Sequence, residues 1–297
     1  MNTTCLILLL LFLIFIFYHN IKHTNNLLPY QKTPKNVFTY WENKDGRTEP
    51  YAHIKLCFDT MKQHFTNYNF VILNPETIKE YLPNIRSDLN NLMIAQKVDY
   101  YRVALLYHYG GIWIDADTIV MKNLNQIFEK LDSGYDYAGF GCTGIVCFNG
   151  YPKPSNWVMA SRKNGKLMER CLKKLNEKLD QNNKNHNYFD LGKLIIWECL
   201  NENKDYDYYH FPAEYDGNRD INGYWIHTPN HLSTTPTKLL DEYKAMFIPL
   251  ANYEIMNEKT NEWFTKLNQE QILNGPWWIS SLFRKALSKA DNIDIKH

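Results

Sequence analysis

Asp115 and Asp117, one residue apart, are the acidic residues of this 297-residue chain best placed for chemistry. In extended backbone two residues at that spacing point to the same side. The pair could therefore grip one hard divalent cation, Mn²⁺ or Mg²⁺, for which carboxylate oxygens are the strongest protein ligands. A cation held there could neutralise the charge that builds on a departing diphosphate. A D-x-D pair arises easily by chance among 32 acidic residues, so its surroundings must carry the argument. Upstream, Asp99 and Arg102 stand three residues apart, which on a helix puts them on one face. They are either an ordinary surface ion pair, or a carboxylate that accepts from ligand hydroxyls beside a forked donor for sugar or phosphate.

These positions depend on the stretch IAQKVDYYRVALLYHYGGIWIDADTIVMKNL, residues 94–124. Ile94, Val98, Tyr101 and Leu105 trace one helical stripe, and Gly110-Gly111 supplies residues that can take positive φ where the helix must stop. Ile112-Trp113-Ile114 is continuously apolar, as a strand buried on both faces would be, so the acids that follow lie at its carboxyl end. Open α/β sheets bind ligands there. Further upstream, Val37–Trp41 reads as a first strand ending at the turn-like Asn43-Lys44-Asp45-Gly46. His53–Phe65 carries apolar residues near a 3.6 period, Phe70–Leu73 reads as a second buried strand, and Pro75 opens a helix reaching about Leu82. Strand, helix, strand predicts a parallel sheet.

With 44% hydrophobic and 15% aromatic residues the chain can bury one large core. Lysine plus arginine, 33, nearly cancels the 32 acids, so no basic footprint points to nucleic acid. The six cysteines (Cys5, Cys57, Cys142, Cys147, Cys171, Cys199) lack paired C-x-x-C spacing, which argues against a zinc ribbon. Most read as buried small hydrophobes; Cys142 and Cys147 could pair across a loop in an oxidising lumen, or stay free. Residues 5–18, CLILLLLFLIFIFY, carry no charge. They are short of the roughly 20 apolar residues that span a bilayer and show no small-residue cleavage site, so an uncleaved signal-anchor is expected. Lys22, Lys32 and Lys35 follow it and no Lys or Arg precedes it, a bias that taken literally favours a cytoplasmic domain. The expected organisation is a membrane anchor over 1–21, a stalk over 22–36 and one catalytic domain over 37–297.

Asp99-x-x-Arg102, Leu105-Leu106, Tyr109-Gly110-Gly111, Trp113 and Asp115-x-Asp117 resemble the DXD-containing sugar-transferase region. More closely, the chain resembles the capsular polysaccharide synthesis proteins. That likeness extends through Lys55-Leu56-Cys57, Asn69–Leu73, Asn156–Ala160 and Tyr188-Phe189-Asp190, about residues 35 to 200. The resemblance implies an α/β, GT-A-like domain with a mixed, mostly parallel central sheet flanked by helices. It also implies a metal-dependent site for a nucleotide-sugar donor, a glycan or glycoprotein acceptor, and retention of anomeric configuration. On that likeness Trp41 matches a position whose ring stacks on the nucleotide base, and Asp190 falls where an acidic or amide group lies near the reacting sugar. The expected set is then Asp117 and Asp115 for metal, with Asp115 also toward ribose, and Trp41, Asp99, Arg102 and Gly111 for the donor. Asp115, Asp117 and Asp190 are the catalytic candidates. A C-terminal metal ligand is expected on position alone, from His231 or near Trp277-Trp278.

Two other classes compete. Ile114-Asp115-Ala116-Asp117-Thr118 also fits a haloacid-dehalogenase-type phosphatase, with Asp115 as nucleophile and Asp216 and Asp220 as its later acidic pair. Against this, that fold starts near its nucleophile strand rather than after some eighty residues of α/β structure. Alternatively, a membrane-tethered carbohydrate-binding protein would stack its many aromatic rings on sugars around a structural metal.

Overall fold

The computed structural model describes residues 32–44, 46–142, 153–181, 186–202 and 206–288. The expected membrane segment, all but the end of the expected stalk, and the side chains of a Cys142–Cys147 pairing lie outside the described residues. Among those described, no helix is long and apolar enough to cross a membrane. Thr33, at the end of the stretch expected as stalk, is buried and its N–H donates to Asp132 Oδ1 at 2.8 Å.

Six strands form the central sheet: β1 (Asn36–Tyr40), β2 (Asn69–Leu73), β3 (Gly111–Ile114), β5 (Tyr137–Cys142), β6 (Lys153–Ser161) and β7 (Tyr208–His210), in the order β2-β1-β3-β6-β5-β7. β1 runs parallel to both β2 and β3, and β5 parallel to β7, while β6 is antiparallel to its neighbours β3 and β5. The sheet is thus mixed and mostly parallel. A second, two-stranded sheet pairs β4 (Thr118–Val120) with β8 (Phe247–Pro249) antiparallel.

Side-chain alternation sets the layers. Phe38, Tyr40, Trp113, Tyr137 and Met159 face a cluster with α2 (Ile94–Tyr109), α4 (Lys166–Asp180) and α5 (Lys193–Glu202). Val37, Ile112, Ile114, Phe140 and Val158 face the other way, onto α1 (Ala52–His64) and α3 (Asn125–Asp132). A third cluster packs Leu56 and Cys57 of α1 against Ile248, Phe264 and α6 (Trp278–Leu287). Ile54, Phe58 and Met61 on one side of α1 and Leu56 and Cys57 on another are what let it serve two cores.

The expected strands and helices of the N-terminal half appear within about one residue of their expected ends. The exception is Pro75–Leu82: only Ile78–Tyr81 is helical, because the Asn74 side chain accepts from the N–H groups of Glu76 and Thr77 and holds the preceding residues in a turn. At the end of α2, Gly110 has φ 65° and Gly111 φ 107°. A side chain on Gly111 would overlap the Asn36 carbonyl oxygen, so the close approach of β3 to β1 requires glycine. Cys57, Cys171 and Cys199 are buried free thiols.

Candidate active site

Parallel pairing of β1 with β3 brings both carboxyl ends, Tyr40-Trp41 and Ile114-Asp115, to one edge of the sheet. β3 ends at Ile114, and Asp115–Asp117 form the turn into β4 rather than an extended segment. The same-side argument from strand geometry therefore does not apply to the pair. The acids stay close nevertheless: the Asp115 charge, after burial, is the main cause holding the Asp117 carboxyl above the usual carboxylate range. Asp115 is likewise raised, by burial, against the opposing pull of Arg102.

Trp113 and Asp115 share one side of the chain by alternation, the α2 side, and there Asp115 meets Arg102. Arg102 Nη2 lies 3.2 Å from Asp115 Oδ1 and Nη1 lies 3.5 Å from Asp99 Oδ1. Nη1 also donates to the Asn156 carbonyl at 2.5 Å, and the guanidinium sits 5.4 Å from the Trp113 ring centroid. Trp113 Nε1 donates to Asp115 Oδ1 at 2.7 Å. Asp99 is 5% exposed and Arg102 6%, which decides against an ordinary surface ion pair. Burial lifts the Asp99 carboxyl to about 7, with Arg102 and the Asn156 amide pulling it down and Asp115 pushing it up.

The β6 strand contributes what sequence reading missed. Its antiparallel register sets Val158 against Ile114, the Trp157 carbonyl accepts from Asp115 N–H at 2.8 Å, and Asn156 Nδ2 donates to Asp99 Oδ1 at 2.7 Å. Gly192 closes the same corner: a methyl group there would come within 2.6 Å of both Asp99 Oδ2 and Asn156 Nδ2. Asn156 opens a stretch that carries the family likeness, but its contact with Asp99 comes only from tertiary pairing; Gly192 has no local signal. From the C-terminal side, Leu250 N–H donates to the Asp117 carbonyl at 2.8 Å, and Asn252 N–H donates to the Leu250 carbonyl at 2.8 Å.

The other expected residues are placed as follows. Trp41 is half-buried just beyond β1, its Nε1 donating to Asn43 Oδ1 at 2.8 Å. Gly111 lies at the start of β3, the end away from Asp115, where its role is backbone packing against Asn36. The Asp190 carboxylate accepts the Asn187 N–H at 2.8 Å and so closes its own turn. His231 is fully buried against the Trp278 ring, centroids 5.5 Å apart, with neither ring nitrogen hydrogen-bonded. Asp216 Oδ1 accepts from Asn218 N–H while its Oδ2 is buried without a partner, and Asp220 Oδ1 accepts from the N–H groups of Asn222 and Tyr224.

Three carboxylates, Asp99, Asp115 and Asp117, thus share a corner with one guanidinium. If all are ionised the balance is −2, which suits a divalent cation. Among the described residues no group of three or more His, Cys, Asp or Glu side chains is arranged to hold a metal ion by itself. The residues fit a cation that takes two ligands from protein and the rest from a diphosphate and water.

No curated protein matches the chain. Solved structures similar to it include the PaToxG glycosyltransferase, 20% identical, with 64% of this chain and 76% of that one covered and a TM-score of 0.41. The glycosyltransferase GlyE of Streptococcus pneumoniae TIGR4 is 20% identical over 62% of this chain and 46% of its own, TM-score 0.39. The galactosyltransferase LgtC, in complex with donor and acceptor sugar analogs, is 10% identical over 61% and 74%, TM-score 0.37. The family of capsular polysaccharide synthesis proteins matches residues 16–272. That span takes in both strands that deliver the acids, the helix that carries Arg102 and the strand that carries Asn156: the chain belongs to the capsular polysaccharide synthesis protein family.

Proposed function

We propose that this glycosyltransferase binds a nucleoside-diphosphate sugar, a uridine one first among candidates, through Mn²⁺ or Mg²⁺ at Asp117 and Asp115. It moves the hexose to a glycan hydroxyl with retention, on a GT-A-like scaffold. The observation that carries this reading is the arrangement at the carboxyl edge of the sheet: Arg102 on α2 reaches both Asp99 and, at 3.2 Å, Asp115 on the turn after β3. The cation, when bound, offsets the charge of the diphosphate as it leaves. In the transfer, the bond from the anomeric carbon to the phosphate oxygen breaks with its electron pair on phosphate. A bond from that carbon to the acceptor oxygen forms, and the acceptor proton leaves with the phosphate.

The chain's own residues position these groups. Asp115 and Asp117 would hold the cation that faces the donor diphosphate. Asp99 and Arg102 are enclosed, so they fix the donor sugar indirectly, by holding Asp115, Asn156 and Gly192 in register. Trp41, half-buried at the same edge, offers its ring to the base. Asp190 Oδ2 is engaged by its own turn, and catalysis in this reading rests on leaving-group stabilisation and positioning. Residues 1–21 are proposed to tether the enzyme to a membrane.

Asp117→Ala is expected to abolish Mn²⁺-dependent transfer from UDP-sugars, by at least about 100-fold, while leaving the circular dichroism spectrum intact. Unchanged activity in a folded variant would remove the metal assignment.

A further inference from the structure

The segment preceding α5 is tied down at several points. Gln96 Nε2, on the first turn of α2, donates to the carbonyls of His186 and Asn187 at 3.0 and 3.3 Å. Asp190 closes the turn onto Asn187 N–H, and Lys178 Nζ holds the Asp190 carbonyl at 3.1 Å. Gly192 N–H donates to the Phe189 carbonyl, and Gly192 itself abuts Asp99 and Asn156. Yet the two rings this scaffold presents are left in water: Tyr188 is 52% exposed and Phe189 47%. They meet at right angles, 88°, with centroids 5.0 Å apart, and Lys193 Nζ covers Phe189 at 3.7 Å.

A rigid backbone that spends hydrogen bonds to hold two large rings exposed is a poor arrangement for stability alone. It becomes favourable when a ligand covers them. The acidic corner is the neighbour that says which ligand. The geometric link is Gly192, which abuts the Asp99 carboxylate and bonds through its N–H to the Phe189 carbonyl; in keeping with it, burial and then the charges of Asp115, Asp99 and Asp117 raise the Tyr188 phenol. Aromatic faces beside carboxylates match the two chemistries of a pyranose, whose C–H face stacks on rings and whose hydroxyls donate to oxygens.

We infer that the Tyr188–Phe189 corner is the acceptor subsite, a stacking platform that lays a pyranose against the carboxylate corner with a hydroxyl toward the donor. This rests on the donor reading above, because a platform beside the acids has meaning only if the donor sugar is there. Asp190 is then a positioning residue, acting on the sugar through the turn that presents the two rings.

The test uses UDP with Mn²⁺ as donor-side probe and methyl α- and β-glucopyranosides and galactopyranosides as acceptor probes. Saturation-transfer NMR is expected to label ring protons of at least one pyranoside on the wild-type protein holding UDP and Mn²⁺. Tyr188→Ala and Phe189→Ala should each weaken that binding at least tenfold, Tyr188→Phe less than threefold, and none should shift the affinity for UDP by more than about threefold. Pyranoside binding that survives in both alanine variants, or is missing from the wild type, overturns the subsite. UDP binding that needs neither Mn²⁺ nor Asp117 overturns the donor reading instead, so the two failures are distinguishable.

Discussion

Arg102 holds together groups that come from three separate elements. Its two terminal nitrogens engage Asp99 on its own helix, Asp115 after β3 and the Asn156 carbonyl on β6. A planar fork can do this, whereas an ammonium offers a single point of charge. Arg102→Lys is therefore expected to leave one of the two carboxylates, buried Asp99 or half-buried Asp115, without its partner. The loss should be about 10- to 100-fold in kcat/KM, or about 1.4–2.8 kcal/mol, with donor affinity falling more steeply than acceptor affinity. Steady-state kinetics with each substrate varied in turn check this; equal losses for both would place Arg102 elsewhere in the reaction.

The helix–glycine–strand passage from α2 to β3 sets where the acids stand. Gly111 combines a φ of 107° with a position against the Asn36 carbonyl that no side chain fits. Gly111→Ala must strain the backbone and push β3 from β1, at an expected cost of about 3 kcal/mol, read as a lowered denaturant midpoint. Because Gly111 is at the far end of β3 from Asp115, the folded fraction should keep kcat within about threefold. A variant that is stable but inactive would contradict this assignment of Gly111 to packing.

The third core, built by α1, α6 and the segment around β8, contains two buried histidines. Burial lowers His53 and His231 to about 4 from 6.5. In the unfolded chain they would take protons near 6.5, so below that pH the unfolded state binds more protons and stability falls. Each contributes stability that is fully present above about 6.5 and is lost as pH falls from about 6.5 to about 4, the loss reaching about 2 kcal/mol at pH 5. Asp216, lifted to about 6 by burial, acts in the opposite sense and gains stability as pH falls toward its unfolded value. The histidine contribution is isolated by substitution. His231 has no hydrogen-bond partner and stacks on Trp278, so His231→Phe should keep the stacking and reduce the stability lost between pH 7 and pH 5 by about 2 kcal/mol. Urea titrations at the two pH values measure it; an unchanged difference would mean that His231 does not stay neutral in the folded protein.

Local pattern alone determined the helix over residues 94–109, the glycine break, the buried strand before the D-x-D and the alternation that gives the sheet two faces, because burial writes its period directly into neighbouring residues. It also singled out Asp99, Arg102, Asp115 and Asp117 as a set. Only the tertiary structure decided that the D-x-D lies on a turn, that Asp99 and Arg102 are enclosed, and that Asn156 and Gly192 complete their surroundings. Antiparallel pairing of β6 brings Asn156 to Asp99 across 57 residues of sequence, and no local period records a contact of that span. Asp190 differs in kind: the Asn187 N–H that its carboxylate caps lies only three residues upstream, a local turn rather than a long-range contact.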